Sequence, residues 1–325
     1  MKFASYQDAS RDGQLVVVSR DLTQAVYPTH IANRLQQVLD DWNYLSPQLQ
    51  DLSDLLNAGR LRNAFAFNPA QCLAPLPRAY QWARGGGFAS DAPLPVQTSS
   101  DSFFGAQDAY VCAVAKIGLD FSAELAVATS DIPQGCSPEK AIEGIRLVLL
   151  ANHWSLHLLN NHSPKDAGTA FGPVAVTPEE LGEAWSQGRV HLTLQSTLNG
   201  RKVGLCDTGE DMTHHFGDLI AALASSRQLS AGTLVGSGTV RSPGVEKNGQ
   251  TDWPKGYHSI AEKRAMETQQ DGNAVADFLH SGDVVRIEMK GRDGLSLFGA
   301  IHQSVVVTNA QDANQRKGSH TLPQD

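Results

Sequence analysis

The sequence predicts an α+β protein: a small N-terminal α+β unit followed by a larger mixed β-roll. Three observations carry this. Short apolar or alternating runs recur along the chain, bounded by Gly, Pro, Asn or Asp. Helical periodicity is confined to a few stretches. Asp12-Gly13, Asn199-Gly200 and Asp293-Gly294 each separate two such runs, as hairpin turns do.

Taken in order, Lys2–Tyr6 and Leu15–Ser19 read as strands joined through Asp12-Gly13. Ile31, Leu35, Val38 and Leu39 recur at helical spacing. A second helix is expected after Ser46, with Pro47 at its first position, Leu49, Leu52, Leu55 and Leu56 as the buried stripe and Gly59 as the stop. Residues 74–98 are rich in Pro and Gly and read either as a linker or as a ligand loop, where Gly lets backbone approach a ligand. Asp120–Thr129 reads as a strand with Asp120, Ser122 and Glu124 on one face and Phe121, Ala123 and Leu125 on the other. A short helix follows Ser137-Pro138, and Arg146–Leu158 returns as a strand. Residues 176–188 predict a helix with Thr177 as N-cap and Glu180 closing a capping box. Thr213 is placed as the cap of a helix running to Arg227. Val284–Lys290 and Leu295–Val307 form the last hairpin. Residues 1–75 are assigned to the small domain and 76–308 to the β-roll, with 309–325 a disordered polar tail.

Composition narrows the function classes. The 325 residues are 41% hydrophobic and 18% charged, which excludes disorder, collagen and coiled coil as the main class. No apolar run approaches the roughly 20 residues that cross a bilayer, and residues 1–13 lack a signal-peptide layout. A cytoplasmic protein with no membrane partner is therefore expected. The net charge of −8 argues against nucleic acid. It is compatible with a small anionic substrate held by a few local cations. Cys72, Cys112, Cys136 and Cys206 form no CxxC pair, so a zinc ribbon is not expected. The GSGTV segment, residues 236–240, lacks a P-loop lysine, so no nucleotide cofactor is expected.

Several segments together resemble the fumarylacetoacetate hydrolase family, in particular its bacterial branch. They are DFSAELAV (120–127), NHWS (152–155), KDAGTAFGP (165–173), TPEELGEAW (177–185), GSGTV (236–240), IAEKRAMET (260–268) and LHSGDVVRI (279–287), with residues 1–22. The resemblance covers nearly the whole chain up to about Val307. It implies a small N-terminal domain, a C-terminal β-roll and a homodimer. It implies hydrolysis of a carbon–carbon bond beside a carbonyl in 1,3-dicarbonyl or oxo acids. It also implies a Mg²⁺ or Ca²⁺ ion held by four carboxylates, a water-activating His–Glu pair and a Lys that steadies the enolate. A hard cation prefers oxygen ligands and polarises a carbonyl.

The chain departs from that pattern at the working positions. Ser122 and Glu124 stand where the family carries two metal-binding Glu residues, and His153 stands where it carries an Asp. His157 and Asn160 replace an Arg and a Gln. Arg84 aligns with another ligand Asp, and Asp91 with the catalytic His. Lys165, Gly168 and Thr169 match the family's K-x-x-G-T, and Thr239 matches in GSGTV. The expected catalytic residues are thus Glu124, His153, His157 and Lys165, with Glu124 and either His as base. His153, Ser155 and His157 share one face of a strand. Arg84, Asp91, Asn160, Gly238 and Thr239 are the expected substrate contacts, Arg84 holding a carboxylate by its fork. A residual metal site would use Glu124 and His153, and its Glu–His donors suit Zn²⁺ or Mn²⁺. His214-His215 reads as surface or packing, and His162 and His258 are left open. Two alternatives stand beside the hydrolase. One is a metal-free decarboxylase, isomerase or condensing enzyme on the same fold. The other is a catalytically silent binding protein.

Overall fold

The computed structural model describes residues 1–112, 118–157, 165–247 and 250–308, except for the side chains of Lys165 and Gln250. The expected tail at 309–325 lies outside the described residues, as do Asn160 and His162.

The chain begins with β1 (Lys2–Tyr6), β2 (Gln14–Val18), β3 (Gln24–Val26), α1 (Leu35–Asp40), α2 (Trp42–Asn57) and β4 (Phe65–Ala66). It continues through β5 (Trp82–Arg84), β6 (Val96–Thr98), β7 (Tyr110–Cys112), β8 (Leu119–Asp120), β9 (Ala123–Thr129), α3 (Pro138–Glu143), β10 (Ile145–Leu156), β11 (Lys165–Phe171) and β12 (Ala175–Val176). Then come β13 (Trp185–Ser186), β14 (Arg189–Val190), β15 (Thr193–Leu198), β16 (Arg201–Asp207), α4 (Phe216–Leu223) and β17 (Leu234–Gly236). The last elements are β18 (Val245–Lys247), β19 (Gln250–Asp252), α5 (Ile260–Asp271), β20 (Val284–Met289) and β21 (Ile301–Val307).

Among the described residues the architecture is two large sheets with two two-stranded ribbons, β13-β14 and β18-β19. The larger runs β4-β3-β2-β1-β12-β10-β9-β17-β5-β6, with β8 and β11 also paired to β10. The smaller runs β16-β15-β20-β21-β7. Alternation along β9 sends Ala123, Leu125 and Val127 into a core shared with Leu194, Ile287 and Phe298 of the smaller-sheet side. Ala126 and Ala128 point the other way, into a second core with Leu35, Leu39, Leu49 and Leu56 of the two N-terminal helices. Both faces of β9 are buried, as expected for a central strand.

Several local signals hold. Asn199 and Gly200 both take positive φ, 50° and 76°, as the turn between β15 and β16 requires. Others yield to tertiary contacts. Residues 178–184 form a 3₁₀ segment interrupted at Gly182, not an α-helix, and β13 and β14 follow. Glu180 does not close a capping box there; it accepts from the Met1 amino group at 3.0 Å and pairs with Arg20. α2 starts at Trp42, so Pro47 lies inside the helix, and Leu55 is largely exposed. α4 is capped by His215, whose Nδ1 accepts from the Asp218 amide, and not by Thr213. The final strand begins at Ile301, after a longer connection than the Asp293-Gly294 turn predicts. The 74–98 stretch carries β5 and β6, and β5 is built into the large sheet.

His258 ties the two sheets together. Its carbonyl accepts from Ala123 N of β9 at 3.0 Å, and its Nδ1 meets Ser196 Oγ of β15 at 2.8 Å. Gly204 makes room for it, since a Cβ there would stand 2.8 Å from the imidazole Cε1. The ring is fully buried, and burial pushes its pKa down to about 4. Folding therefore favours the neutral ring. The stability this contributes is complete above about pH 6.5 and is lost as pH falls towards 4, by up to about 3 kcal/mol. Glu262, raised to about 7 by burial, has the opposite slope. Urea midpoints from pH 7.5 to 4.5 should therefore fall more steeply in the wild type than in His258→Asn. Parallel curves would show that the imidazole stays neutral throughout or reaches solvent.

Candidate active site

The polar centre is assembled by three adjacent strands. β17 pairs parallel with β5, Gly236 opposite Arg84, and antiparallel with β9, Gly236 opposite Ala126. The residue between the flanking strands is glycine for a steric reason. A Cβ at Gly236 would lie 2.3 Å from Trp82 Cη2 and 3.0 Å from Glu124 Oε2. Without it, Arg84 of β5 reaches across β17 to Glu124 of β9.

The pair is tightly held. Arg84 Nε donates to Glu124 Oε1 at 2.7 Å, and the Gly238 amide donates to Oε2 at 2.8 Å. Arg84 Nη2 donates to Ser122 Oγ at 3.1 Å, and Ser122 Oγ meets Thr239 Oγ1 at 2.7 Å. Glu124 is fully buried, while 18% of the Arg84 side chain is exposed. Burial pushes the carboxyl pKa up, and Arg84 with the Gly238 amide opposes that rise. With both oxygens accepting hydrogen bonds, the group has the environment of an ionised carboxylate. Arg84 Nη1 has no partner among the described residues.

His153 lies next to this pair. On β10, Ala151 stands opposite Glu124, and two residues on, His153 stands opposite Thr169 of β11. Its Nδ1 is 3.0 Å from Thr169 Oγ1, which also accepts from Trp82 Nε1 at 2.9 Å. Burial, reinforced by the Arg84 charge, pushes the imidazole pKa down to about 3, and Asp166 opposes it. The ring is therefore neutral at physiological pH. Asp166 Oδ1 is 4.0 Å from His153 Nε2. Asp166 also accepts from the Ser99 and Gly168 amides, and its pKa is lowered by these amides despite the opposing effect of burial.

His153, Ser155 and His157 find different partners. β10 keeps one register with β9 and β8 past His153, with Asn152 opposite Ala123 and Ser155 opposite Asp120, and the irregularity lies on β11, where Thr169 and Asp166 stand opposite His153 and Ser155. His157 Nε2 instead lies 3.4 Å from Asp120 Oδ2 and 3.1 Å from Ser155 Oγ, with its ring stacked on Phe278. Among the described residues the carboxylate that His157 meets is that of Asp120. This is not a serine triad, because hydroxyl and carboxylate meet the same ring nitrogen, whereas a triad uses both. Asp120 lies beyond the break between β8 and β9. Its oxygens cap α5, accepting from Ile260 N at 2.6 Å and Ala261 N at 2.8 Å.

Asp91 is exposed, and only its backbone carbonyl is engaged, by His214. Gly238 and Thr239 are in the cluster. Lys165 has its backbone on β11, and its side chain lies outside the described residues. Sequence reading gave Trp82 and Asp166 no defined place in the site. Their partners are remote in the chain and become visible only through strand register.

The donor set does not fit the divalent ion expected from Glu124 and His153. Each carboxylate oxygen already accepts a hydrogen bond, and the guanidinium that donates to Oε1 at 2.7 Å would stand as a like charge beside any bound cation. His153 Nδ1 is engaged by Thr169. Among the described residues, no three His, Cys, Asp or Glu side chains converge as a metal would need. Arg84 brings positive charge to the cluster instead.

The chain belongs to the fumarylacetoacetate hydrolase family: the description Fumarylacetoacetase N-terminal domain 2 matches residues 1–78, and Fumarylacetoacetate (FAA) hydrolase C-terminal matches residues 81–306. Solved structures share the fold at low identity. Maleylpyruvate hydrolase from Sphingobium sp. SYK-6, in complex with manganese(II) and pyruvate, is 14% identical with a TM-score of 0.66, covering 95% of this chain and 100% of that one. A probable 2-hydroxyhepta-2,4-diene-1,7-dioate isomerase from Mycobacterium abscessus is 16% identical with a TM-score of 0.65 and the same coverage. Fumarylacetoacetate hydrolase from Exiguobacterium antarcticum is 16% identical with a TM-score of 0.59, again covering 95% and 100%. Among curated proteins none matches significantly. No helix among the described residues is long and apolar enough to cross a membrane.

Two measurements test the cluster. Arg84→Met leaves Glu124 buried without its cation and should destabilise the protein by about 3–5 kcal/mol. Adding Glu124→Gln should restore part of that loss, and strictly additive denaturation energies would show the pair to be uncoupled. Calorimetric titration with Mn²⁺ or Mg²⁺ should give no stoichiometric binding that Arg84→Met or Glu124→Gln alters. A one-to-one ion sensitive to either change would mean that Arg84 swings away to admit it.

Proposed function

We propose that the protein is an enzyme that cleaves a carbon–carbon bond in a small 1,3-dicarbonyl or oxo acid, with Arg84 in place of a metal as the electrophile. The observation that carries this reading is the anchoring of Arg84. Nε and Nη2 are fixed by Glu124 and Ser122, while Nη1 has no partner among the described residues and 18% of the side chain is exposed. A guanidinium held in this way can receive a carboxylate or the oxygen of a developing enolate. Family membership supports the reaction class, whose named relatives include hydrolases and an isomerase. In the hydrolytic form, Asp166 is the candidate to orient water. It faces His153, is 24% exposed and keeps lone pairs beyond its two amide bonds.

One observation favours a second reading. Glu124 is fully buried and held by Arg84 and the Gly238 amide, and Asp166 is held as a weak base. A decarboxylation needs no base, because loss of CO₂ leaves the enolate directly.

Both readings predict turnover of some member of an oxo-acid panel in the presence of chelator. Arg84→Lys keeps the charge but loses the fork, and should lower kcat/KM at least about tenfold. Products in H₂¹⁸O divide the two: hydrolysis places one solvent oxygen in a new carboxylate, and decarboxylation releases CO₂ without it. Turnover restored only by a divalent ion would overturn the metal-free assignment.

A further inference from the structure

We infer that Thr169, oriented by Trp82, is a positioning residue that fixes His153 as the Nε2–H tautomer, making the ring a neutral hydrogen-bond donor to a bound oxyanion. The argument is a count of protons. Trp82 is fully buried, and its indole N–H can only donate; it donates to Thr169 Oγ1. Thr169 is 1% exposed, so its own hydroxyl proton needs a protein acceptor. Its two side-chain partners are Trp82 Nε1 at 2.9 Å and His153 Nδ1 at 3.0 Å. The indole cannot accept, so the proton goes to Nδ1. The opposite arrangement, Nδ1–H donating to the threonine, would strand the hydroxyl proton in a closed site.

The ring proton therefore lies on Nε2. The carboxylate oxygen that it faces, Asp166 Oδ1, is 4.0 Å away, beyond direct hydrogen-bond reach, so this donor is not consumed by a partner among the described residues. Burial and the Arg84 charge keep the ring neutral, which preserves the distinction between its two nitrogens. Where a general base would offer a lone pair, His153 offers a proton. The ligand class that suits it, with Arg84, is a small carboxylate or enolate. That last step rests on the function proposed above; the tautomer does not.

The first test is long-range ¹⁵N–¹H NMR of histidine-labelled protein near neutral pH, with His153 assigned by its absence in His153→Gln. An Nε2–H pattern is expected in the wild type and in Thr169→Ser, and its loss in Thr169→Val. An Nδ1–H pattern in the wild type, or one unchanged in Thr169→Val, would overturn the inference whether or not any oxo acid is turned over. The second test is calorimetric binding of oxalate in chelator. Thr169→Val should weaken it at least tenfold, while Thr169→Ser, which keeps the hydroxyl, should stay within about threefold of the wild type. Equal affinities across all variants would remove the donor role even if the tautomer is correct. No oxalate binding by any of them, beside an Nε2–H wild type, would count against the oxo-acid reading alone.

Discussion

The ion pair between Arg84 and Glu124 is the interaction on which the rest of the centre depends. A carboxylate with no solvent exposure is tolerated only when its charge is answered nearby, and here it is answered by a guanidinium at 2.7 Å and an amide at 2.8 Å. That requirement reaches into the fold. It needs β5 and β9 on either side of a strand whose residue at the crossing lacks a Cβ. It also draws in the GSGTV segment, because the Gly238 amide and the Thr239 hydroxyl complete the network.

Once the cation is part of the chain, the surrounding chemistry changes character. A divalent ion would gather oxygen ligands around itself, whereas a guanidinium offers donors in a fixed plane and is always charged. The neighbouring substitutions agree with that change. Ser122 presents a hydroxyl to Nη2, where a second carboxylate would add unbalanced buried charge. His153 stays neutral beside Arg84 because both burial and like charge disfavour its protonation. The result is a centre rich in hydrogen-bond donors and poor in bases.

The other polar groups that sequence reading singled out serve the architecture. Asp120 satisfies the first amides of α5, His157 packs between Asp120 and Phe278, and His215 caps α4. His258 links the two sheets from a fully buried position. Each resembles a functional residue in isolation, yet each makes hydrogen bonds that hold an element end or a sheet contact, although His258 Nε2 is buried without a partner among the described residues.

What the sequence by itself determined is local or carried by family likeness. Alternation put Ser122 and Glu124 on one face, and turn chemistry placed the Asn199-Gly200 hairpin, because strand period and left-handed turns are encoded within a few residues. The ordered segments from DFSAELAV to LHSGDVVRI were enough to identify the family and its fold. The sequence also showed that the expected metal ligands were replaced. Tertiary structure decided what replaced them. His157 took Asp120 and Ser155 as partners, and the Met1 and Arg20 partners of Glu180 accompanied a 3₁₀ segment where a capping signal predicted a helix. The Arg84–Glu124 pair and the Trp82–Thr169–His153 chain join residues 40 and 87 positions apart, or on strands whose register no local pattern fixes. Such contacts are set by the pairing of whole strands, so they exist only once the sheet has formed.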